Sequence, residues 1–541
     1  MKRLLIAFAL LGFVASASAQ IPLGKEGKGG TISGSFESNS IVYFDDKQLS
    51  TPAPEDHFGS NNYLKVDYTY KGLSAGLQLE AYLPALQGYE MGTYAPGYRV
   101  VYPLKYVQWQ GDCYSVMVGD IFDQFGNGLV FRSFEDRQLG FCNSIEGGRI
   151  AYNYGAYFAV KAFYGRPRLY HDYGGSGVGG ADLSISLGDI FGMKQGALYL
   201  EGSYVNRYER LNKQENLDFA SRGLTSGNLS IYSARLNLDI ADFTLRTEYA
   251  RKGKDLSTVA SNEAAPGQAV YAEVGYAYKG FSFSAMTRTL DNMGLLSTLY
   301  GKGTGNSLNY LPALTRQYTY MLANLNPYQV NTEGEIGAQG DIYYTYRSKS
   351  NRYRYWNFHL NYSTYYTLHK WQSKSGEREK LWQDINFDVE RQWSKKLKTS
   401  FLYSFQEWNP YHGSHHRTYV SNIFVADVQY KFNNKTSMRV EAQYLLSGEY
   451  EGDWVAGLVE LNFAPHWSVY ASDMYNIGRA IDGKIIGTQK NYYNVGLSYT
   501  YNRFRAQLAY GRNRAGFICS GGVCRYQPEY TGINIALNVS F

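Results

Sequence analysis

His412, His415 and His416, within NPYHGSHHR, place three imidazoles in five residues and form the densest set of potential transition-metal ligands in the chain. A metal centre built on them would want thiolates or carboxylates at matching spacing. None stands beside them, so the run reads as a solvated polar loop between two strands, and no metal is expected. The other histidines, His57, His171, His359, His369 and His466, are scattered. Adjacent carboxylates that could share acid/base work occur at Glu135-Asp136, but Arg132 and Arg137 flank them, and cations that close favour ion pairing over proton transfer. Gly174 to Gly180 reads GGSGVGG and contains the dinucleotide spacing. Leu183, Ile185 and Leu187 then alternate as in a strand, whereas a nucleotide loop must open a helix. No Ser–His pairing is visible from spacing. The chemistry-bearing residues therefore point to no catalytic site and no cofactor.

The four cysteines carry a different message. Cys519 and Cys524 flank Ser520-Gly521-Gly522-Val523, and a bridge there closes a small ring worth about 2 kcal/mol on the chain-entropy model. Such a bridge fits an oxidising compartment. Cys113 follows a Gly-Asp turn and Cys142 lies in an irregular segment; a second bridge between them is possible, and spacing leaves that pairing open.

The elements that position these residues are strands. Lys2 and Arg3 precede the apolar run Leu4 to Ala15 and the small residues Ala17-Ser18-Ala19, which reads as a cleavable secretory leader over 1–19. Elsewhere no run of apolar residues is long enough for a helical span, and the mean hydropathy is -0.39. If the mature chain, 20–541, lies in a membrane, it must do so as a barrel. The 53 Tyr, 27 Phe and 57 Gly against 13 Pro describe a strand-rich chain without a linker or composition shift, hence one domain. A formal net charge of +6, evenly mixed with acid, gives no reason to expect nucleic acid.

Period-two alternation runs through successive hairpins. Leu73, Ala75, Leu77, Leu79 and Ala81 share one face while Ser74, Gly76, Gln78 and Glu80 share the other; before the turn at Lys71-Gly72, Leu64, Val66, Tyr68 and Tyr70 alternate with Lys65, Asp67 and Thr69. The same pattern brackets Ala241-Asp242 and Asn433 to Thr436. Tight turns alternate with long polar connections, and the segments are long enough to cross hydrocarbon. The predicted fold is all-β, a single large antiparallel transmembrane barrel of about twenty-four strands, in a range of roughly twenty-two to twenty-six. Ile533, Ile535, Leu537, Val539 and Phe541 end the chain on an aromatic, the terminal pattern of bacterial outer-membrane barrels, and Phe541 is expected to be read by the barrel-assembly machinery.

Three segments break the alternation, and function is sought there. Gly119 to Gly148 packs Asp123, Arg132, Glu135, Asp136 and Arg137 among Phe122, Phe125, Phe131 and Phe134, as suits a lumenal plug or constriction. Asp291 to Gly337, with Tyr310, Tyr318, Tyr320 and Tyr328 among apolar residues, is expected to cap or enter the barrel. Gly253 to Gln268 reads as a plain surface loop.

GDIFDQFGNGLVFRSFEDR, EYARKGKDLS, TRTLDNM and LPALTRQYTYMLANLNPY resemble recurring motifs of an uncharacterised outer-membrane barrel family of Bacteroidetes. The resemblance covers most of the mature chain, the MGTYAPGYRV segment and the last Cys-containing loop apart. It implies an outer-membrane location and a barrel fold, and no activity. Two functions compete: porin-like passage of polar solutes through a partly plugged lumen, or a non-conducting scaffold in an outer-membrane complex. An outer-membrane enzyme ranks below both. Outer-membrane lipid and the assembly machinery are the expected partners.

Overall fold

A strand that crosses a bilayer must turn apolar side chains to lipid and polar ones to the lumen, so their characters alternate along it. The structure, a computed structural model, describes residues 21–24, 29–89, 98–256, 263–299, 306–351, 353–481, 483–520 and 523–541. The leader inferred over 1–19 and most of MGTYAPGYRV lie outside the described residues. Among those described, twenty-four strands close into one antiparallel barrel.

The first six are β1 (Thr31–Phe44), β2 (Phe58–Tyr70), β3 (Leu73–Tyr82), β4 (Val100–Gln110), β5 (Tyr114–Ile121) and β6 (Ile145–Tyr154). Next come β7 (Phe158–Leu169), β8 (Gly177–Ser186), β9 (Ala197–Tyr208), β10 (Asn228–Ile240), β11 (Phe243–Asp255) and β12 (Ala265–Tyr278). They continue with β13 (Phe281–Asp291), β14 (Gly334–Arg347), β15 (Tyr355–Thr367), β16 (Lys380–Gln392), β17 (Leu397–Trp408) and β18 (Tyr419–Lys431). The last are β19 (Thr436–Ser447), β20 (Asp453–Phe463), β21 (Trp467–Ile481), β22 (Asn491–Tyr501), β23 (Phe504–Asn513) and β24 (Tyr530–Ser540).

Each strand pairs with its sequence neighbours, and β24 closes on β1 in a register running from Thr531–Phe44 to Ser540–Ser35. Closure removes the free edges that would otherwise template aggregation. Phe541 prolongs the ladder: its N–H donates to the Gly34 carbonyl at 2.9 Å, and the Gly34 N–H donates back at 2.8 Å. Any Cβ at residue 34 would collide with the Phe541 ring, so the glycine makes room for the terminal aromatic.

The two ends of the barrel differ. At one end Lys71, Ala241, Lys279 and Asn502 take left-handed φ values of 51°, 50°, 43° and 51° in two-residue turns, the links that suit twisted hairpins. Both ends of the strand series lie on this side. At the other end lie the long connections, among them 122–144, 292–333 and 514–529. Leu77, Val118, Ile150, Leu236 and Val459 point outward and are exposed, forming part of the lipid-facing wall.

Inside, the wall changes character with depth. Towards the short-turn end the ion pair Arg246–Asp239 has side chains 34% and 41% exposed, and Lys398–Glu390 27% and 28%. Towards the long-loop end Arg168–Glu80 falls to 2% and 1%, and Arg207–Asp255 and Arg288–Glu335 each to 1% and 0%. The lumen is wet at one end and filled at the other. The segment Gly253 to Gln268, expected as a plain surface loop, departs from that reading at both edges. β11 runs on to Asp255, β12 starts at Ala265, and Leu256 packs with Phe219 and Leu224, because the Arg207–Asp255 pair and that apolar cluster hold the end of the strand.

Candidate functional site

The filling comes from the two segments that break the alternation. The first leaves the wall at Ile121 and returns at Ile145, folding into two small hairpins, Gln124–Phe125 with Phe131–Arg132 and Glu135–Asp136 with Phe141–Cys142. Gly128, at φ 88°, lets the backbone approach Tyr310, where a Cβ would lie 2.7 Å from that residue's own Cβ. Phe125 and Phe131 press on Phe163 of β7, with the Phe131 and Phe163 rings stacked at 4.4 Å. Around them Leu129, Val130, Val178, Val205 and Leu308 make a dry apolar core inside the barrel.

Polar ties then fix the segment to the wall. Asp123 accepts from Arg149 Nε at 2.6 Å and from Lys161 Nζ at 2.5 Å. Arg137 donates to Glu37 at 2.8 Å, to Glu135 at 3.2 Å and to Gln78 at 3.0 Å, and Gln78 donates to Glu135 at 2.6 Å. Asp136 accepts the Leu139 N–H at 3.0 Å, and Arg132 stacks between Phe134 and Tyr310 at 4.2 and 3.8 Å from the ring centres. Of the five residues expected at a constriction, Arg137 faces open space, while Asp123 and Arg132 are committed to the wall and to aromatic rings.

The second segment, 292–333, crosses the lumen as a strap. Asn309 fastens it to the first segment by donating to the Leu129 carbonyl at 3.1 Å, and braces the strap on itself by donating to the Met293 carbonyl at 2.7 Å. Further along, Arg316 grips Asp388 in a bidentate pair, and Asp388 and Asp341 flank His359 at 3.0 and 2.9 Å. Tyr318 donates to Asp384 at 2.6 Å, and Tyr328 to Glu335 at 2.6 Å. The Leu322 N–H reaches Gln443 at 3.0 Å, and Leu322 and Leu325 bury against Leu402, Ile423 and Trp454. Tyr318 and Tyr328 are thus amphipathic anchors, with the ring in an apolar seat and the hydroxyl on an inner-wall acid. Asp384 and Asn386, which receive Tyr318, and Asp388, which receives Arg316, were readable as one inward face by alternation; their role as acceptors was not, since nothing local names the donor.

Among the described residues, two sizeable cavities flank the plug and strap. One of about 790 Å³ runs beside β1 and β21 to β24, from Tyr470 up to Arg137, Tyr320, Asn513 and Arg525. Another of about 410 Å³ opens at the long-loop end among Trp382, Trp408, His412, Tyr450 and Glu529. Leu325, Arg514, Ala515, Gly516 and Phe517 line both and form the partition between them. Arg514 holds it in place, donating to Glu451 at 3.0 Å and to the Leu325 carbonyl at 3.3 Å.

The partition continues into a hairpin, Gly516–Ser520 with Val523–Gln527, in which Cys519 and Cys524 are cross-strand partners joined by a disulfide. Ile518 and Val523 pack it onto Leu139 and Phe141 of the first segment. Cys113 and Cys142 are not bonded to each other; Cys142 lies within the plug, where burial pushes its thiol up to about 12.

The three clustered histidines go separate ways. His416 contacts Glu379 at 2.5 Å, His415 lies 3.1 Å from Lys374 Nζ, and His412 lines the outer cavity. Burial raises the Glu379 carboxyl, but hydrogen bonds from Ser375, His416 and Ser373 outweigh it and hold the group below its ordinary value. The glycine run at Gly174 to Gly180 leads into β8, a strand of the wall.

The chain is similar over its length to several barrels of known structure. Pseudomonas aeruginosa OpdK with vanillate aligns with 94% of this chain and 98% of its own, at 9% identity and a TM-score of 0.33. The P pilus usher (PapC) translocation pore aligns with 94% and 99%, at 10% identity and 0.45. The siderophore receptor PirA from Acinetobacter baumannii aligns with 94% and 80%, at 10% identity and 0.44. No curated protein matches the chain. A family model does, over residues 1–541, and the chain belongs to that family, described as a family of unknown function (DUF6029).

Proposed function

We propose that this outer-membrane-type barrel passes polar solutes along one side of its plugged lumen, through the two cavities, with the Leu325 and Arg514 to Phe517 partition as the gate. The observation that carries the reading is their stacking: residues of two loops divide the cavity of about 790 Å³ from the outer one of about 410 Å³, and the inner wall at the short-turn end of the barrel is half-exposed and mixed in sign. A confined path lined by fixed charges and dipoles selects by sign and size. The leader over 1–19, the terminal Phe541 and the Bacteroidetes motifs support placement in the outer membrane of such a bacterium, with the short-turn end and both strand termini towards the periplasm.

Purified protein in a planar bilayer tests the reading. Wild type is expected to give small, infrequent steps, and removing residues 516–527 should make them frequent and larger, since the partition loses its upper wall. Silence from both proteins would overturn it. A second reading, a non-conducting scaffold, draws on the dry core of Phe125, Phe131, Leu129 and Leu308, which fills the β5 to β13 side as a soluble domain fills its interior. Silence in both proteins is the outcome it expects.

A further inference from the structure

Burying a cation is costly unless a carboxylate shares its site. The buried cations of this barrel obey that rule: Arg168 has Glu80 at 2.7 Å, Arg207 has Asp255 at 2.8 Å, Arg235 has Asp182 at 2.6 Å, Arg288 has Glu335 at 2.8 Å, Lys252 has Asp255 at 3.9 Å, and Arg512 has Asp46 at 2.8 Å. Arg525 departs from it. It is 9% exposed, and no carboxylate among the described residues lies within ion-pair distance.

Its described partners are neutral. One terminal nitrogen donates to the Gln527 side chain at 2.7 Å and to the Gln87 carbonyl at 3.5 Å, the other to the Gln138 carbonyl at 3.3 Å, and Nε–H has no acceptor among the described residues. The guanidinium lies 4.2 Å from the centre of the Tyr89 ring, whose face offsets a fraction of a full charge. Burial lowers its proton affinity below the ordinary arginine value, as an uncompensated charge requires. The residue lines the roof of the cavity of about 790 Å³.

We infer that Arg525 is the anion-binding group of this cavity and that the ligand is a small organic monoanion, a carboxylate on an apolar or aromatic body. A guanidinium with donors to spare matches a carboxylate. One uncompensated positive charge matches one negative charge; the Glu37 carboxylate on the same wall, already held by Arg137, disfavours a phosphate dianion. The body of the ligand is met by Ile41, Leu86, Tyr89, Met321 and Tyr530.

The inference rests on the solute-passage reading for its meaning, since it names the solute class, but a binding experiment tests it without conduction. Benzoate, its neutral isostere benzamide and inorganic phosphate are titrated calorimetrically into the full-length protein, folded in detergent. Benzoate should bind at least tenfold more tightly than the other two. Arg525→Gln should weaken benzoate about tenfold or more, the scale of one lost charge-assisted hydrogen bond.

Gln527→Glu guards against a variant that merely fails to fold, because it supplies the missing carboxylate next to the guanidinium. It should abolish benzoate binding while the heat-modifiable barrel persists. Equal binding of benzamide, tighter binding of phosphate, no binding of benzoate to wild type, or unchanged benzoate binding in Gln527→Glu would each overturn the assignment. Benzoate binding without bilayer steps would leave the site in place and remove the channel.

Discussion

Arg168 meets Glu80 through two hydrogen bonds, 2.8 and 2.7 Å, with both side chains out of solvent, and the plug depends on such pairs. The lumen needs polar residues on its face of every strand, yet the plug takes their water away, so each charge must find a partner across the interior. Deleting one member strands the other, and the cost of that is about 3–5 kcal/mol; replacing both with apolar residues of similar volume costs far less. Glu80→Ala should therefore lower the temperature at which the barrel loses its compact electrophoretic form markedly more than the double change Glu80→Met with Arg168→Met. An equal or larger loss in the double variant would show that the pair stabilises by itself. The sequence marks Glu80 as lumenal, because it alternates with Leu79 and Ala81. Its pairing with Arg168, 88 residues away, is written nowhere locally, and the same holds for Arg525, whose lack of an acid partner among the described residues appears only in the folded chain.

Hairpins were the most legible elements, since each crossing must satisfy the same lipid and lumen rule and the two-residue turns at Lys71, Ala241, Lys279 and Asn502 repeat one left-handed requirement. Those around Lys71-Gly72, Ala241-Asp242 and Asn433 to Thr436 stand where alternation puts them, with Thr436 already opening the returning strand. The inserted segments were legible only as breaks in that rule. Their composition marked them as lumenal, but the strap's course, with Arg316 on Asp388 and Tyr318 on Asp384, arises from long-range pairing that no local pattern encodes. The closing seam joins the two cases. Phe541 ends an alternating strand, and its ring needs the space that Gly34 leaves on β1. Gly34→Leu should block that seat and slow barrel closure, while Phe541→Ser should remove the aromatic and leave the seat open. If Phe541 acts as an assembly signal as well as a packing residue, Phe541→Ser will reduce insertion in cells more than refolding into detergent, and Gly34→Leu will reduce both alike. Equal effects of the two changes in both settings would reduce Phe541 to packing.

At the scale of the whole barrel, plug and wall divide the lumen into a dry sector and a more open one, and if the barrel passes solutes as proposed, the open sector is where they are selected. The net charge of +6 is spread over 541 residues and is weak at any one point. A charge in a confined, partly dehydrated passage acts at short range through a lower dielectric than bulk water and outweighs that average. Arg137, Arg514 and Arg525 line the cavity of about 790 Å³ beside the acid Glu37; Arg137 and Arg514 are paired with acids and Arg525 is not, so if the barrel conducts as proposed, this path should favour anions. Arg132 points elsewhere, between two rings, and serves as the internal control. In a bilayer under a salt gradient, Arg137→Glu should shift the reversal potential towards cations, whereas Arg132→Glu should disturb plug packing and leave selectivity unchanged in whatever steps survive. A shift from Arg132→Glu as large as that from Arg137→Glu would place the constriction inside the first plug segment. Conduction indifferent to both would move the selecting point to the partition, where Arg514 is the charge to reverse next.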